Sequence, residues 1–116
     1  YQDALFVKRP GDKTTRWHAD LHMAPFDTND FVTCWLPLAP VAARAQGGTG
    51  LSFVSASHRD FALGFWRQRP QEARVDLEAR YGPGAVADHG ALALGDATWH
   101  HGWTLHGAPS LLEGTA

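Results

Sequence analysis

Short apolar runs separated by glycine and proline dominate the pattern of this chain. The runs "ALFVKR" (4–9), "NDFVTCWLPL" (29–38) and "LSFVSAS" (51–57) are rich in β-branched and aromatic residues, and the last alternates apolar with small polar residues. Such patterns are typical of strands, and the Pro-Gly-Asp at 10–12 predicts a turn after the first. We therefore expect three strands in the first half of the chain.

One segment begins and ends with residues that are typical of helix termini. The stretch "PQEARVDLEARY" (70–81) begins with Pro70, carries Glu72 in its first turn and Arg80 in its last, and is followed by Gly82. Proline and acidic residues favour a helix start, whereas basic residues and glycine favour its end. The pattern predicts one short helix.

Further short strands are predicted after this helix, and a loop is predicted before it. Residues 41–50 contain three glycines and read as a loop. "GALALGD" (90–96) predicts a short strand and a turn, and "ATWHHGWTLHG" (97–107) predicts either a strand pair or one strand with a bend at Gly102. Many short strands with Gly/Pro turns and one helix predict a mostly β fold, a sandwich or a barrel.

The composition is typical of a globular protein and argues against some classes of partner. Its 116 residues suit one domain spanning 1–116, with 44% hydrophobic and 19% charged residues. The net charge of −2 gives no basic patch for nucleic acid or a membrane surface, and no apolar run approaches the roughly 20 residues that span a bilayer. Because the chain starts at Tyr1 and runs at once into a strand-like segment, we expect it to be an incomplete domain.

A single cysteine, Cys34, excludes an internal disulfide. This fits a reducing compartment, so we expect an intracellular, cytoplasmic protein. Cys34 lies in an apolar run, which predicts a buried, unreactive thiol.

The stretch "TTRWHADLHMAP" (14–25) contains three closely spaced residues of types that can bind a metal. His18, Asp20 and His22 alternate with Ala19, Leu21 and Met23. A strand over 16–22 would place the three polar residues on one face. We prefer a strand to a helix here because the window is short and closes at a proline.

A His-x-Asp pair supplies two ligands of the 2-His-1-carboxylate facial triad, which leaves metal positions open for a co-substrate and O₂. The third ligand must come from far along the chain. The remaining histidines are the candidates: His58, His89, His100, His101 and His106.

Several motifs, taken in order, resemble the phytanoyl-CoA dioxygenase family. They are the "HADLH" segment, the tryptophan-containing strand "WLPL", the "ASH" turn at 56–58, and "GD" at 95–96 followed by "HG" at 106–107. The resemblance implies a double-stranded β-helix of the jelly-roll or cupin-like type. It implies Fe(II) held by His18, Asp20 and His106, with Trp35 lining the 2-oxoglutarate pocket.

The resemblance also implies a reaction. A small organic substrate would be hydroxylated at an unactivated C–H by O₂, with 2-oxoglutarate converted to succinate and CO₂. The chain departs from the family pattern at Ala19, where glutamine is common, and at Ala108, where serine is usual. In the family, an arginine that binds the far carboxylate of 2-oxoglutarate normally follows the distal histidine by about eleven residues, and this position falls just past Ala116. Either the printed chain stops just before it or this protein binds 2-oxoglutarate poorly.

The other histidines receive lesser roles. We expect His22 and His101 to face the substrate or to contact the metal ligands without binding the metal themselves. His58 is expected to make a structural hydrogen bond. We expect His89 and His100 to be ordinary surface or core residues.

Two other functions compete with the dioxygenase. One is a catalytically silent β-helix domain that binds a ligand or a partner, and the other is a cupin-like metalloenzyme that does not use 2-oxoglutarate. Ala19, Ala108 and the lack of the anchoring arginine within residues 1–116 favour the silent domain, and an arginine immediately after Ala116 would count against both alternatives. The iron content of the protein distinguishes the silent domain from the metal-dependent enzymes, because a silent domain need not retain iron.

Overall fold

The computed structural model describes residues 1–60 and 74–109, which form six short strands, one α-helix and three single turns of 3-10 helix. The strands are β1 Thr15–His18, β2 Val32–Trp35, β3 Ser52–Val54, β4 Val86–Asp88, β5 Thr98–His101 and β6 His106–Ala108. The α-helix, α1, is Arg74–Tyr81, and the 3-10 turns are Asp20–His22, Arg44–Gln46 and Ser57–Arg59. The mostly β prediction with one short helix is confirmed.

The strands form two antiparallel sheets. One has four strands in the order β1-β6-β3-β4, and the other pairs β2 with β5. A small apolar core lies between the four-stranded sheet and α1, with Trp17 and Tyr81 packed against it. Its buried members are Val54, Leu77, Ala85, Val86 and Leu105. Leu77 is the helix residue that closes this core, since it is fully buried.

The two-stranded sheet has a regular register. Thr33 lies opposite His100, and Trp35 lies opposite Thr98. Residues directly opposite each other in an antiparallel pair project from the same face, so these four side chains share one side of the sheet. Thr98 and His100 are buried, whereas Trp99 between them is exposed.

The predicted strand over 4–9 is wrong. Residues 1–9 have no regular secondary structure, and Leu5, Phe6 and Val7 are exposed. Strand propensity needs a neighbouring strand to pair with, and the described part of the chain offers this segment none. The turn at 10–12 is confirmed, with the Asp12 amide donating to the Arg9 carbonyl at 3.0 Å.

The other predicted elements are shorter than expected or displaced. The strands predicted at 29–38 and 51–57 are reduced to β2 and β3. In 90–96 only Leu92 pairs, through an isolated bridge to Val41, while β4 was not predicted at all. Residues 97–107 contain β5 and the start of β6, but these two strands lie in different sheets and do not pair with each other.

The helix prediction is confirmed for 74–81, and its first four residues, 70–73, lie outside the described residues. Across the described ranges, no helix has both the length and the apolar character needed to cross a membrane.

Candidate metal centre

The chain turns sharply at the first pair of candidate ligands. β1 ends at His18, Ala19 is extended and fully buried, and Asp20 opens a 3-10 turn that ends at His22. The strand expected over 16–22 is therefore wrong beyond His18, and His22 does not share a strand face with the other two. The buried Leu21 anchors the turn, because its amide donates to the Gly102 carbonyl at 3.0 Å.

The distal histidine reaches the same place through β6. β1 and β6 are antiparallel, with His18 opposite His106 and an irregularity between this pair and Thr15. Gly107 permits the close approach, since a Cβ there would lie 2.9 Å from the Thr15 carbonyl oxygen. Strand pairing thus joins two histidines that are far apart in the sequence.

The side chains of His18, Asp20 and His106 converge on one point. The Asp20 Oδ1 lies 3.5 Å from the His18 Nε2 and 3.4 Å from the His106 Nε2. One ligand atom from each residue falls within 4.8 Å of the others. His106 is buried and the other two are half-buried, so the cluster opens to solvent on one side.

Both imidazoles are oriented by backbone carbonyls. The His18 Nδ1 donates to the Arg16 carbonyl at 2.7 Å, and the His106 Nδ1 donates to the Thr104 carbonyl at 3.0 Å. A carbonyl can only accept, so each Nδ1 carries a hydrogen. In the neutral rings the lone pair is then on Nε2, the atom that faces Asp20.

The other oxygen of the carboxylate faces the two-stranded sheet. The Thr33 hydroxyl donates to the Asp20 Oδ2 at 2.6 Å, and the His100 Nε2 lies 3.0 Å from the same atom. Asp20 therefore divides its two oxygens between the sheets: Oδ1 faces β1 and β6, and Oδ2 faces β2 and β5.

These neighbours keep the carboxylate ionised. Burial alone would raise the pKa of Asp20, but hydrogen bonds from its neighbours hold that pKa well below its usual range. In decreasing order of effect, the neighbours are His100, His106, His18 and Thr33. The bond to Asp20 in turn raises the pKa of His18 above 6.5, against the opposing effect of burial and with support from the Arg16 carbonyl.

The donor set fits a divalent transition metal. Two imidazole nitrogens and one carboxylate oxygen are the ligands of the facial triad. For bonds of about 2.1 Å at right angles, neighbouring ligand atoms lie roughly 3 Å apart, close to the 3.4 and 3.5 Å separations described above. Nδ1 bonds to backbone carbonyls are the usual way in which proteins orient metal-binding histidines.

The remaining predicted residues differ in burial and in contacts. Trp35 is half-buried and lines a pocket together with Phe53 and Arg44. His22 is exposed on the Asp20 turn. The His101 Nδ1 accepts a hydrogen bond from the Trp103 amide.

Two outer histidines lie against each other. The ring centroids of His58 and His101 are 5.2 Å apart. Burial is the first cause that lowers the pKa of His58, followed by the charge effects of His101 and Arg59. His101 projects from the face of β5 opposite to His100.

Sequence reasoning missed two residues that contact Asp20. His100 was predicted to be an ordinary histidine, and Thr33 received no role. The alternation of β5 carried a usable signal, because His100 and His101 must face opposite sides and only one can point inward. Which one points inward depends on the pairing with β2.

Comparison with known proteins identifies the family of this chain. The profile of the family described as "Phytanoyl-CoA dioxygenase (PhyH)" matches residues 1–111. Searches of the curated proteins and of the solved structures found no match. Members of the matched family are oxygenases, in general dependent on iron and 2-oxoglutarate. The match spans nearly the whole chain, and the chain therefore belongs to the phytanoyl-CoA dioxygenase family.

Proposed function

We propose that this protein is an Fe(II)- and 2-oxoglutarate-dependent dioxygenase that hydroxylates an unactivated C–H of a small organic substrate. The observation that carries the proposal is the convergence of His18, Asp20 and His106, with both Nε2 atoms facing one carboxylate oxygen. Family membership supports the same reaction class. Bound iron supplies the oxidising chemistry from O₂ and 2-oxoglutarate, and succinate and CO₂ are released.

The proposed fold is a single double-stranded β-helix domain over 1–116. Support comes from the two antiparallel sheets, both of which contribute neighbours to Asp20. In a fold of this kind the space between sheets is where a small molecule is enclosed.

The protein's own part in the reaction is to bind, to orient and to exclude water. His18 and His106 present oriented lone pairs, and Asp20 supplies the negative charge. We assign Trp35 to the 2-oxoglutarate pocket, which the positive Arg44 and the ring of Phe53 also line. Arg44 is the basic side chain of this lining that suits a carboxylate of the co-substrate, whereas Asp88 in the same lining would repel one.

Two outer histidines complete the proposal. His22 is exposed on the turn that carries Asp20, which supports a role towards the substrate. The role proposed for His101 is indirect, through its contact with His58 and the turn at 102–103.

The direct test is co-substrate turnover. The full-length protein with Fe(II), 2-oxoglutarate and O₂ should form succinate even without its substrate, by slow uncoupled turnover. His18→Ala and Asp20→Ala should each abolish it, because two ligands hold iron poorly. Succinate is measured by mass spectrometry with ¹³C-labelled 2-oxoglutarate.

Asp27→Ala is the control matched to Asp20→Ala, since Asp27 is exposed and is not among the residues that line the pocket. Full succinate formation by the His18 or Asp20 variant would disprove the ligand assignment. Stoichiometric iron without succinate formation would favour a metalloenzyme that does not use 2-oxoglutarate. A purified protein that retains no iron would favour the silent binding domain.

A further inference from the structure

The Asp20 carboxylate has a second set of contacts that the ligand set does not use. Its Oδ2 accepts a hydrogen bond from the Thr33 hydroxyl at 2.6 Å and lies 3.0 Å from the His100 Nε2. Thr33 and His100 lie directly opposite each other on β2 and β5. One cross-strand pair therefore supplies both contacts to this oxygen.

The proton of the His100 ring can be placed. The side chain is 4% exposed, and the buried Nδ1 has no hydrogen-bond partner within the described ranges of the chain. The Nε2 faces a carboxylate, which can only accept. The neutral ring therefore carries its hydrogen on Nε2 and donates it to Asp20. An Nε2 that donates this hydrogen has no lone pair for a metal.

Two donors on one oxygen restrict how Asp20 can bind a metal. A carboxylate can bind through one oxygen or through both. With Oδ2 held by Thr33 and His100, Oδ1 is the atom left facing the two histidines. Coordination through Oδ1 alone uses one metal position rather than two.

We propose that His100 and Thr33 are positioning residues that hold Asp20 in one-oxygen coordination and so preserve the open metal positions. This inference rests on the proposed function, since it concerns the same metal centre. His100 is thereby assigned as a hydrogen-bond donor to Asp20 and not as a fourth protein ligand of the metal.

A buried histidine with one unpaired ring nitrogen lowers the stability of the protein. Its presence therefore supports a specific role for His100. A buried polar atom without a partner has lost its hydrogen bonds to water without replacement. Phenylalanine would fill a similar volume without that cost, and Phe53 already packs 5.3 Å from the His100 ring. The hydrogen bond to Asp20 is the feature that phenylalanine could not supply.

The test measures metal affinity with Co(II), which replaces Fe(II) without oxidation in air. His100→Phe and Thr33→Val should each bind Co(II) about 10–100-fold more weakly than the parent protein. His100→Gln should recover most of the affinity, because its amide keeps a donor. Thr98→Val is the matched control: Thr98 is buried on the same face of β5, but its hydroxyl has no partner among the described residues. Its Co(II) affinity should be unchanged.

A second readout counts the coordinated histidines. In the Co(II) protein each coordinated imidazole gives one strongly shifted, exchangeable N–H signal in the proton NMR spectrum. We expect two signals, from His18 and His106, in both the parent and His100→Phe. Three signals in the parent, with one lost in His100→Phe, would overturn the inference by making His100 a ligand.

The outcomes separate the two proposals. Unchanged affinity in both folded variants, His100→Phe and Thr33→Val, would overturn the positioning role and leave the proposed function standing. A parent protein that binds no Co(II) would overturn both. Circular dichroism establishes folding, and Thr33→Val keeps the test valid if His100→Phe does not fold.

Discussion

Ala56 holds a backbone conformation that its side chain disfavours. Its φ is +62°, the left-handed region, and it is the one non-glycine residue with positive φ in the described ranges. It precedes Ser57, whose buried hydroxyl donates to the Val54 carbonyl and accepts from the Leu105 amide. The strained turn thus places a hydroxyl that joins β3 to the start of β6.

Ala56→Gly should stabilise the protein. The left-handed conformation costs an L-residue roughly 1–2 kcal/mol, whereas glycine costs about 0.4–1 kcal/mol through the unfolded chain. We expect the free energy of unfolding to rise by roughly 0.5–1 kcal/mol, measured by urea denaturation. Ala43→Gly is the control, because Ala43 has a φ of −62° and should lose stability. A loss of stability in Ala56→Gly would contradict the assignment of strain.

His18 should give metal binding a pH dependence. Its raised pKa means that the metal-free protein holds a proton on this ring above pH 6.5, and a metal must displace that proton. Co(II) affinity should therefore rise with pH through this region and level off above the raised pKa.

The stability of the metal-free protein should follow the opposite trend. The contribution of His18 is complete below pH 6.5, its value in the unfolded chain, and is lost as pH rises through the folded-state pKa. Urea denaturation of the parent and of His18→Gln from acid to alkaline pH isolates this contribution. A difference that grows with pH would contradict the raised pKa.

At the scale of elements, the pairing of β1 with β6 assembles two of the three candidate ligands. Its register places His18 opposite His106. Gly107, the residue after His106, lies against Thr15 and Trp17 of β1. A side chain at this position would meet a backbone carbonyl, which cannot move without displacing the strand.

Gly107→Ala should separate β1 from β6. The added Cβ would lie 2.9 Å from the Thr15 carbonyl oxygen, so we expect a loss of about 1–3 kcal/mol in the free energy of unfolding. Co(II) affinity should fall as well, because His18 moves away from His106. Gly50→Ala is the control, since its Cβ would meet a Val41 methyl at 3.3 Å, and a side chain can adjust. Equal stability losses in both variants would contradict the special role of Gly107.

At the scale of the whole molecule, the two sheets meet at one carboxylate. Asp20 lies on neither sheet, yet it contacts histidines of β1 and β6 through one oxygen and residues of β2 and β5 through the other. A metal on Oδ1 would therefore stabilise the arrangement of both sheets, the four-stranded sheet directly and the two-stranded sheet through Asp20.

Metal binding should raise the free energy of unfolding of the protein. At a free Co(II) concentration 100 times the Kd, the gain is about 2.7 kcal/mol. Thermal denaturation with and without Co(II) measures it, and a chelator should reverse it. Asp20→Ala should lose the gain. A gain retained in Asp20→Ala would place the metal elsewhere.

The sequence by itself determined the features that depend on neighbouring residues. The turn at 10–12, the helix ending at Tyr81 and the bend between β5 and β6 follow from local backbone preferences. The His-x-Asp pair was readable as two ligands of a facial triad, because that chemistry restricts residue types. The choice of His106 among the remaining histidines came from the family resemblance.

Only the tertiary structure decided which side chains meet. Propensity alone made 4–9 a strand and extended β1 to residue 22, but a strand needs a partner, and the Leu21 amide bonds to Gly102 instead. The sequence could not choose between His100 and His101, because the pairing of β5 with β2 decides which one points inward. The contacts of the Asp20 Oδ2 come from residues 13 and 80 positions away, and no local pattern encodes such contacts.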